Sequence, residues 1–166
     1  MSWIHSGGIS LSSAIIGKTP STDGCAPSRS NMNTTELSDI EFARAFESCE
    51  LPNECFHHRD HIRLAWIYLT RYDEPKARER LGQAIRRFAS HHGKSDKYHE
   101  TVTVAWLRLV ARAMVRVPRG ASFDELTVAA PELLDKRTLE GFYSAAVLAS
   151  PEARASWLEP DLQALP

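Results

Sequence analysis

The feature that most constrains the fold is a series of apolar stripes at helical spacing, each bounded by residues that begin or stop a helix. The first stripe follows "SDIE", Ser38 to Glu41, which has the spacing of a capping box, and the fourth is stopped by Pro118. The sequence contains no convincing strand pattern. We therefore predict an all-α fold, a bundle of four main helices at about residues 39–50, 57–72, 75–92 and 97–117.

Shorter helices are predicted after the fourth stripe. One follows a second capping box, "SFDE", at Ser122, and another begins near Pro131. A third covers about residues 139–148, and a last one is capped by Ser150 with Pro151 at its first position. The predicted bundle therefore carries a set of short C-terminal helices.

Residues 1–34 differ from the rest in composition. They carry only Lys18, Asp23 and Arg29 as charges, are rich in Ser, Gly, Thr and Pro, and have no sustained period. Such a stretch buries too little apolar surface to offset the entropy of ordering it. We predict a disordered leader or upstream extension over residues 1–34, followed by one all-α domain over residues 35–166.

Composition narrows the classes of function. Charged residues are 25% of the 166 and nearly cancel, with a net charge of −1, so no global field favours nucleic acid or an anionic membrane. Cys25, Cys49 and Cys55 form no disulfide framework, no apolar run reaches the roughly 20 residues of a membrane span, and the start lacks a basic signal region. We expect a cytoplasmic protein that binds neither nucleic acid nor membrane.

Three histidines open the second predicted helix, in "CFHHRDHIRLAWIYL". At about 100° per residue, His58 and His61 lie on its apolar face, together with Ile62 and Ala65. His57 lies about 100° from His58, at the border of that face, and is the less certain member. Two histidines therefore face the core near the start of this helix.

The fourth predicted helix supplies a third inward-facing histidine. In "YHETVTVAWLRLVARAMVRV", His99 is in line with Val102, Trp106 and Val110. Short connections make successive helices antiparallel, so the second and fourth helices are expected to run parallel. His58, His61 and His99 would then converge at one end of the bundle.

Three converging neutral imidazoles are the ligands of a late first-row metal. We predict one divalent transition metal, Zn, Fe or Cu, held by His58, His61 and His99, with His57 as a further candidate. Three protein ligands leave a position open for water or substrate, and no C-x-x-C pair suggests a closed structural site. A polar network without metal and a different helix register are the alternatives.

Other polar residues are candidates for the same site. Glu100, Tyr98 and Thr103 are the candidate catalytic residues, Glu100 for proton transfer and the two hydroxyls as hydrogen-bond donors to a bound oxygen. Asp60 and His92 are further candidates, His92 as a fourth ligand. Helix capping and ordinary core packing explain these residues equally well.

The segments "FHHRDHIRLAWIYL", "KYHETVTVAWL" and "LASPEARASWLEPDLQALP" resemble a family of small bacterial all-helical proteins with F-x-H-x-x-H and Y-H-E-T motifs. The resemblance covers about residues 37–166 and brings no reaction with it. A looser likeness is to the DinB-type bundles, which present three histidines to a metal, although the spacings differ. The family motif falls on Phe56, His58, His61, Tyr98, His99, Glu100, Thr101 and Thr103.

These observations favour a small metal-dependent enzyme, a hydrolase or oxygenase, acting on a small polar or anionic substrate. The alternative is a non-catalytic helical binding module in which the histidines form a structural network or metal clip. A third interpretation is a pH-responsive regulator that uses the clustered histidines. Any of the three is compatible with a homo-oligomer.

Overall fold

The all-α fold is confirmed in a computed structural model that describes residues 33–166. Over this range the chain forms seven α-helices and no strand. Nearly all of the predicted leader lies outside the described residues. The helices are α1 (Asp39–Glu47), α2 (His58–Arg71), α3 (Glu74–His91), α4 (Glu100–Met114), α5 (Phe123–Ala129), α6 (Ala145–Ala149) and α7 (Pro151–Ala155), with short 3₁₀ helices at Asn53–Cys55, Ser95–Lys97, Pro131–Leu134 and Lys136–Gly141.

Local side-chain caps explain where most of these helices begin. Ser38 and Glu41 form the predicted capping box of α1, and Ser122 and Glu125 form that of α5. Ser150 accepts from the Ala153 N–H at the start of α7. Three of the predicted helix starts are therefore fixed by a capping side chain within one turn of the helix.

α2 and α4 form the centre of the bundle. α2 packs against α1, α3, α4 and the 3₁₀ helix Pro131–Leu134, and α4 packs in addition against α5 and α7. The core between them is formed by Ile62, Ala65, Trp106 and Val110, all buried. Burial of their apolar surface, at about 25 cal/mol per Å², stabilises the packing of α2 on α4.

The C-terminal segment, residues 131–166, lies across the start of α4. Thr101, buried in the first turn of α4, donates its hydroxyl hydrogen to the Ser156 carbonyl (2.7 Å) and accepts from the Leu158 N–H (3.0 Å). Arg154 donates to the Asp96 carbonyl at 2.9 Å. These hydrogen bonds give a segment with short helices a fixed position on the bundle.

Some helix boundaries differ from the prediction. α1 ends at Glu47, not Glu50, because Cys49 adopts φ 59°, a left-handed conformation that stops the helix. The predicted helix at 139–148 is divided, since Phe142 and Tyr143 separate the 3₁₀ helix Lys136–Gly141 from α6 and Ser144 caps the new start. Within residues 33–166, no helix has both the length and the apolar character needed to cross a membrane.

Candidate functional site

The four histidines predicted as metal ligands line one cavity of about 530 Å³. His57, His58 and His61 come from the start of α2 and the residue before it, and His99 from the residue before α4. The C-terminal segment forms the facing wall. Besides the histidines, the lining consists of aromatic residues (Phe56, Tyr98, Trp106), charged residues (Lys97, Lys136, Glu140), Thr103 and aliphatic residues (Ala65, Leu81, Ile85, Val102, Leu139, Leu148).

His58 joins α2 to the C-terminal segment. Its Nε2–H donates to the Leu133 carbonyl at 2.9 Å, and its ring meets the Trp106 ring edge-on at 4.6 Å. Burial lowers the pKa of His58, although the bond to Leu133 opposes this shift. His58 is therefore held in place through a hydrogen bond to a carbonyl 75 residues away in the chain.

His99 is occupied at both ring nitrogens. As the N-cap of α4, its Nδ1 accepts from the Val102 N–H at 3.3 Å. Its Nε2–H donates to the Leu148 carbonyl at 2.9 Å. A neutral imidazole has one donor and one acceptor, so His99 has no ring nitrogen left for a ligand.

His61 differs from both. It lies in the first turn of α2, is half-buried, and packs against the Phe56 ring with 4.2 Å between centroids. Its ring forms no hydrogen bond with any residue in the range 33–166. Burial lowers the pKa of His61 to about 4, with smaller effects of His58 and Lys136, so the imidazole is neutral at neutral pH and offers both a donor and an acceptor.

His57 and Asp60 act together at the start of α2. The His57 backbone N–H donates to the Asp60 carboxylate at 2.9 Å, and Asp60 is buried. The His57 side chain is largely exposed at the edge of the cavity. Asp60 is therefore a helix-capping carboxylate and does not line the cavity.

The three candidate catalytic residues are divided between two places. Tyr98 and Thr103 line the histidine cavity, but the Tyr98 hydroxyl donates to Glu100 (2.6 Å) and the Thr103 hydroxyl to the His99 carbonyl (2.9 Å). Glu100 lines a separate groove between α3 and α4, where it also accepts from Arg78 and Arg86. The structure therefore separates Glu100 from the histidines.

A metal site that includes His99 requires the His99 ring to rearrange. Among residues 33–166, no three or more His, Cys, Asp or Glu side chains are grouped so that they could hold a metal ion. To ligate one, His99 would have to release either the Val102 N–H or the Leu148 carbonyl. The three-histidine metal centre stays a prediction, and the present hydrogen bonding does not fit it.

His92 is not brought to the cavity. It is the C-cap of α3, and its ring packs on Phe88 with 4.4 Å between centroids. Its Nε2 is buried and lacks a hydrogen-bond partner in the described part of the chain. The structure thus keeps this candidate fourth ligand apart from His58, His61 and His99.

Sequence reasoning missed the contribution of the C-terminal segment. Leu133 and Leu148 act through backbone carbonyls, which leave no signature in residue identity. Lys136 belongs to a 3₁₀ helix whose short length gives no apolar period to read. Lys136 meets the histidines only in the tertiary fold, so the sequence contains no signal for this contact.

Comparison of the chain with protein-family models, with curated proteins and with solved structures gives no match in any of the three.

Proposed function

We propose that this protein binds a small molecule in the histidine-lined cavity and that His61 is the residue that hydrogen-bonds it. The observation that carries the proposal is the half-buried, neutral imidazole of His61, which faces a cavity of about 530 Å³ without a partner in residues 33–166. The His61 ring lines the cavity and its nitrogens are open to a ligand there, in contrast to the enclosed Nε2 of His92. A bound molecule would supply the partner that the described chain does not.

The size and lining of the cavity support the same proposal. Small-molecule sites are typically clefts of about 300–1,000 Å³ with apolar and aromatic walls and a few polar groups. Here Phe56 and Trp106 supply aromatic surface, and His61 supplies both a donor and an acceptor. This combination orients a ligand that has an apolar body and one polar group.

In this proposal His58 and His99 are positioning residues for the cavity wall. Each donates to a carbonyl of the C-terminal segment, Leu133 and Leu148 respectively. A buried neutral hydrogen bond contributes about 1 kcal/mol to stability. The two bonds hold the C-terminal segment over the cavity, which encloses a ligand on that side.

A fragment screen by NMR tests the proposal. Ligands of the cavity should shift the imidazole resonances of His61 and the indole N–H of Trp106, and His61→Leu should weaken their binding about tenfold, the loss of one buried hydrogen bond. His91→Leu, at an exposed site on α3 away from the cavity, is the matched control. Fragments that bind His61→Leu as tightly as the wild type would refute the role of His61, and a screen without cavity ligands would refute the function.

The second candidate is the predicted metal-dependent enzyme, a hydrolase or oxygenase. It is favoured by one observation, that His57, His58, His61 and His99 line the same cavity. Metal analysis of protein purified without a histidine tag tests it. Stoichiometric Zn, Fe or Cu that is lost in both His58→Ala and His61→Ala would establish the metal site that this candidate requires, and metal-free protein that binds fragments would reject it.

A further inference from the structure

The charges around the histidine cavity are unevenly balanced. Two lysines and one carboxylate line it, and the imidazoles are the remaining ionisable groups apart from Tyr98. The Lys97 ammonium already lies 3.3 Å from Asp96. The charge balance at the cavity then depends on Lys136 and Glu140. Asp135 also acts on His58, but its carboxylate accepts hydrogen bonds from the Arg137 guanidinium.

Lys136 forms no ion pair with any residue in the range 33–166. It lies close enough to the imidazoles that its positive charge, after burial, helps to lower the pKa of both His58 and His61. The Lys136 ammonium is therefore a hydrogen-bond donor beside the cavity without a carboxylate partner in residues 33–166. The neighbourhood of His61 is thus electropositive and offers hydrogen-bond donors.

Glu140 does not cancel this charge. Its carboxylate is exposed and lies near Arg137, whose pKa is raised chiefly by the hydrogen bond to Asp135 and further by the charge of Glu140. It contributes to the pKa of neither His58 nor His61. Glu140 thus lines the cavity with an exposed carboxylate that acts on Arg137, whereas the charge of Lys136 acts on the histidines.

We propose that the ligand of this cavity is a small aromatic or aliphatic acid, with its carboxylate beside Lys136 and His61 and its apolar body against Trp106 and Phe56. The proposal rests on the proposed function and adds the chemical class of the ligand. A carboxylate accepts hydrogen bonds from both an ammonium and an imidazole N–H. The aromatic walls supply the apolar contact that a simple anion would not use.

Calorimetric titration with three probes that share one aromatic ring and differ in charge tests which charge the cavity prefers. The probes are indole-3-acetate, indole-3-acetamide and tryptamine, which present an anionic, a neutral and a cationic group on the same ring. We expect the acid to bind about tenfold more tightly than the amide, because one charge-assisted hydrogen bond is worth about that factor. The amine should bind most weakly.

Lys136→Met removes the charge and keeps the apolar stem of this exposed side chain. It should weaken binding of the acid about tenfold, to the level of the amide, and leave the amide unchanged. Lys76→Met is the matched control, because Lys76 is an exposed lysine on α3 that pairs with Glu79 outside the cavity.

The outcomes separate this inference from the proposed function. Equal affinities for the acid, amide and amine, or an acid that binds Lys136→Met as tightly as the wild type, would overturn the inference and leave the cavity as a ligand site. Binding of none of the three probes would also overturn it. The fragment screen would then decide whether the proposed function is correct.

Discussion

Two polar regions on either side of the start of α4 differ in how completely their hydrogen bonds are satisfied. The histidine-lined cavity and the groove between α3 and α4 both receive side chains from the run Tyr98, His99 and Glu100. In the groove, Glu100 accepts from Arg78, Arg86 and the Tyr98 hydroxyl. In the cavity, His61 has no partner among residues 33–166.

This difference indicates which region is structural and which is available to a ligand. Burial raises the pKa of Glu100, but the bonds from Tyr98 and Arg78 and the charge of Arg86 together lower it below its ordinary value. The carboxylate is thus held ionised by groups of the protein itself. The groove network stabilises the packing of α3 on α4, whereas His61 retains its full hydrogen-bonding capacity.

The largest effect is expected from the pH dependence of His61. Its pKa is about 4 in the folded protein against 6.5 for the ordinary group, so between these values the unfolded chain binds the additional proton. The contribution of His61 to the free energy of unfolding is therefore constant above about pH 6.5. It decreases as the pH falls towards 4, by at most about 3 kcal/mol.

Urea denaturation of the wild type and of His61→Leu at pH 7 and pH 4.5 measures this effect. The variant removes the titrating group, and the other ionisable groups are common to both proteins. The loss of stability between the two pH values should therefore be smaller in His61→Leu. An identical loss in both proteins would show that His61 is protonated as easily in the folded state as in the unfolded chain.

The next effect concerns the groove. Glu100→Ala removes the acceptor of the Tyr98 hydroxyl and the counter-charge of Arg78 and Arg86, and should lower the free energy of unfolding by roughly 2 kcal/mol. Glu100→Gln keeps an acceptor and should lose about half as much. Both should bind cavity ligands as the wild type does. Loss of ligand binding with unchanged stability would instead make Glu100 part of the site.

His99 offers a test of the cavity wall with a built-in control. His99→Ala loses both the cap on the Val102 N–H and the bond to the Leu148 carbonyl, and should lower stability by about 2 kcal/mol. Asn is a good N-cap but too short to repeat the second bond, so His99→Asn should lose only about 1 kcal/mol. Equal losses in the two variants by urea denaturation would show that the bond to Leu148 contributes nothing.

The fold was predictable where local sequence fixes a boundary. The capping boxes at Ser38 and Ser122 and the Pro151 start occur as predicted, because each depends on residues within one helical turn. The placement of His58 and His61 on the inner side of α2 also followed from helical periodicity, and both line the cavity. His99 lines it too, but it precedes α4 and is held by its N-cap hydrogen bond, so helical periodicity does not explain its position. These are the features that short-range geometry determines.

The hydrogen-bonding state of the histidines was not predictable, because it depends on carbonyls from a distant segment. Arg63 is a second case, because it lies on the side of α2 away from His58, where a charged residue is expected to be exposed, and yet it is buried. Its guanidinium donates to Asp39 and to the carbonyls of Thr34 and Leu37, which cover that side of the helix. A helical projection gives the direction of a side chain and does not give what covers it.

The smallest effect concerns the contact between the groove and the cavity wall at Gly82. A Cβ at this buried position in α3 would lie 3.1 Å from the Tyr98 hydroxyl oxygen, which is held by its 2.6 Å bond to Glu100. Alanine favours a helix over glycine by about 1 kcal/mol, so crowding and helix propensity oppose each other. We expect Gly82→Ala to destabilise the protein by less than about 1 kcal/mol.

The Tyr98→Phe background separates these two contributions. Without the hydroxyl the added methyl has nothing to displace, so Gly82→Ala should stabilise Tyr98→Phe, by up to about 1 kcal/mol. Urea denaturation of the four proteins in this double-mutant cycle gives the coupling between residues 82 and 98. Zero coupling would mean that the Tyr98 hydroxyl moves aside without cost, and its hydrogen bond to Glu100 would then not hold it in the groove.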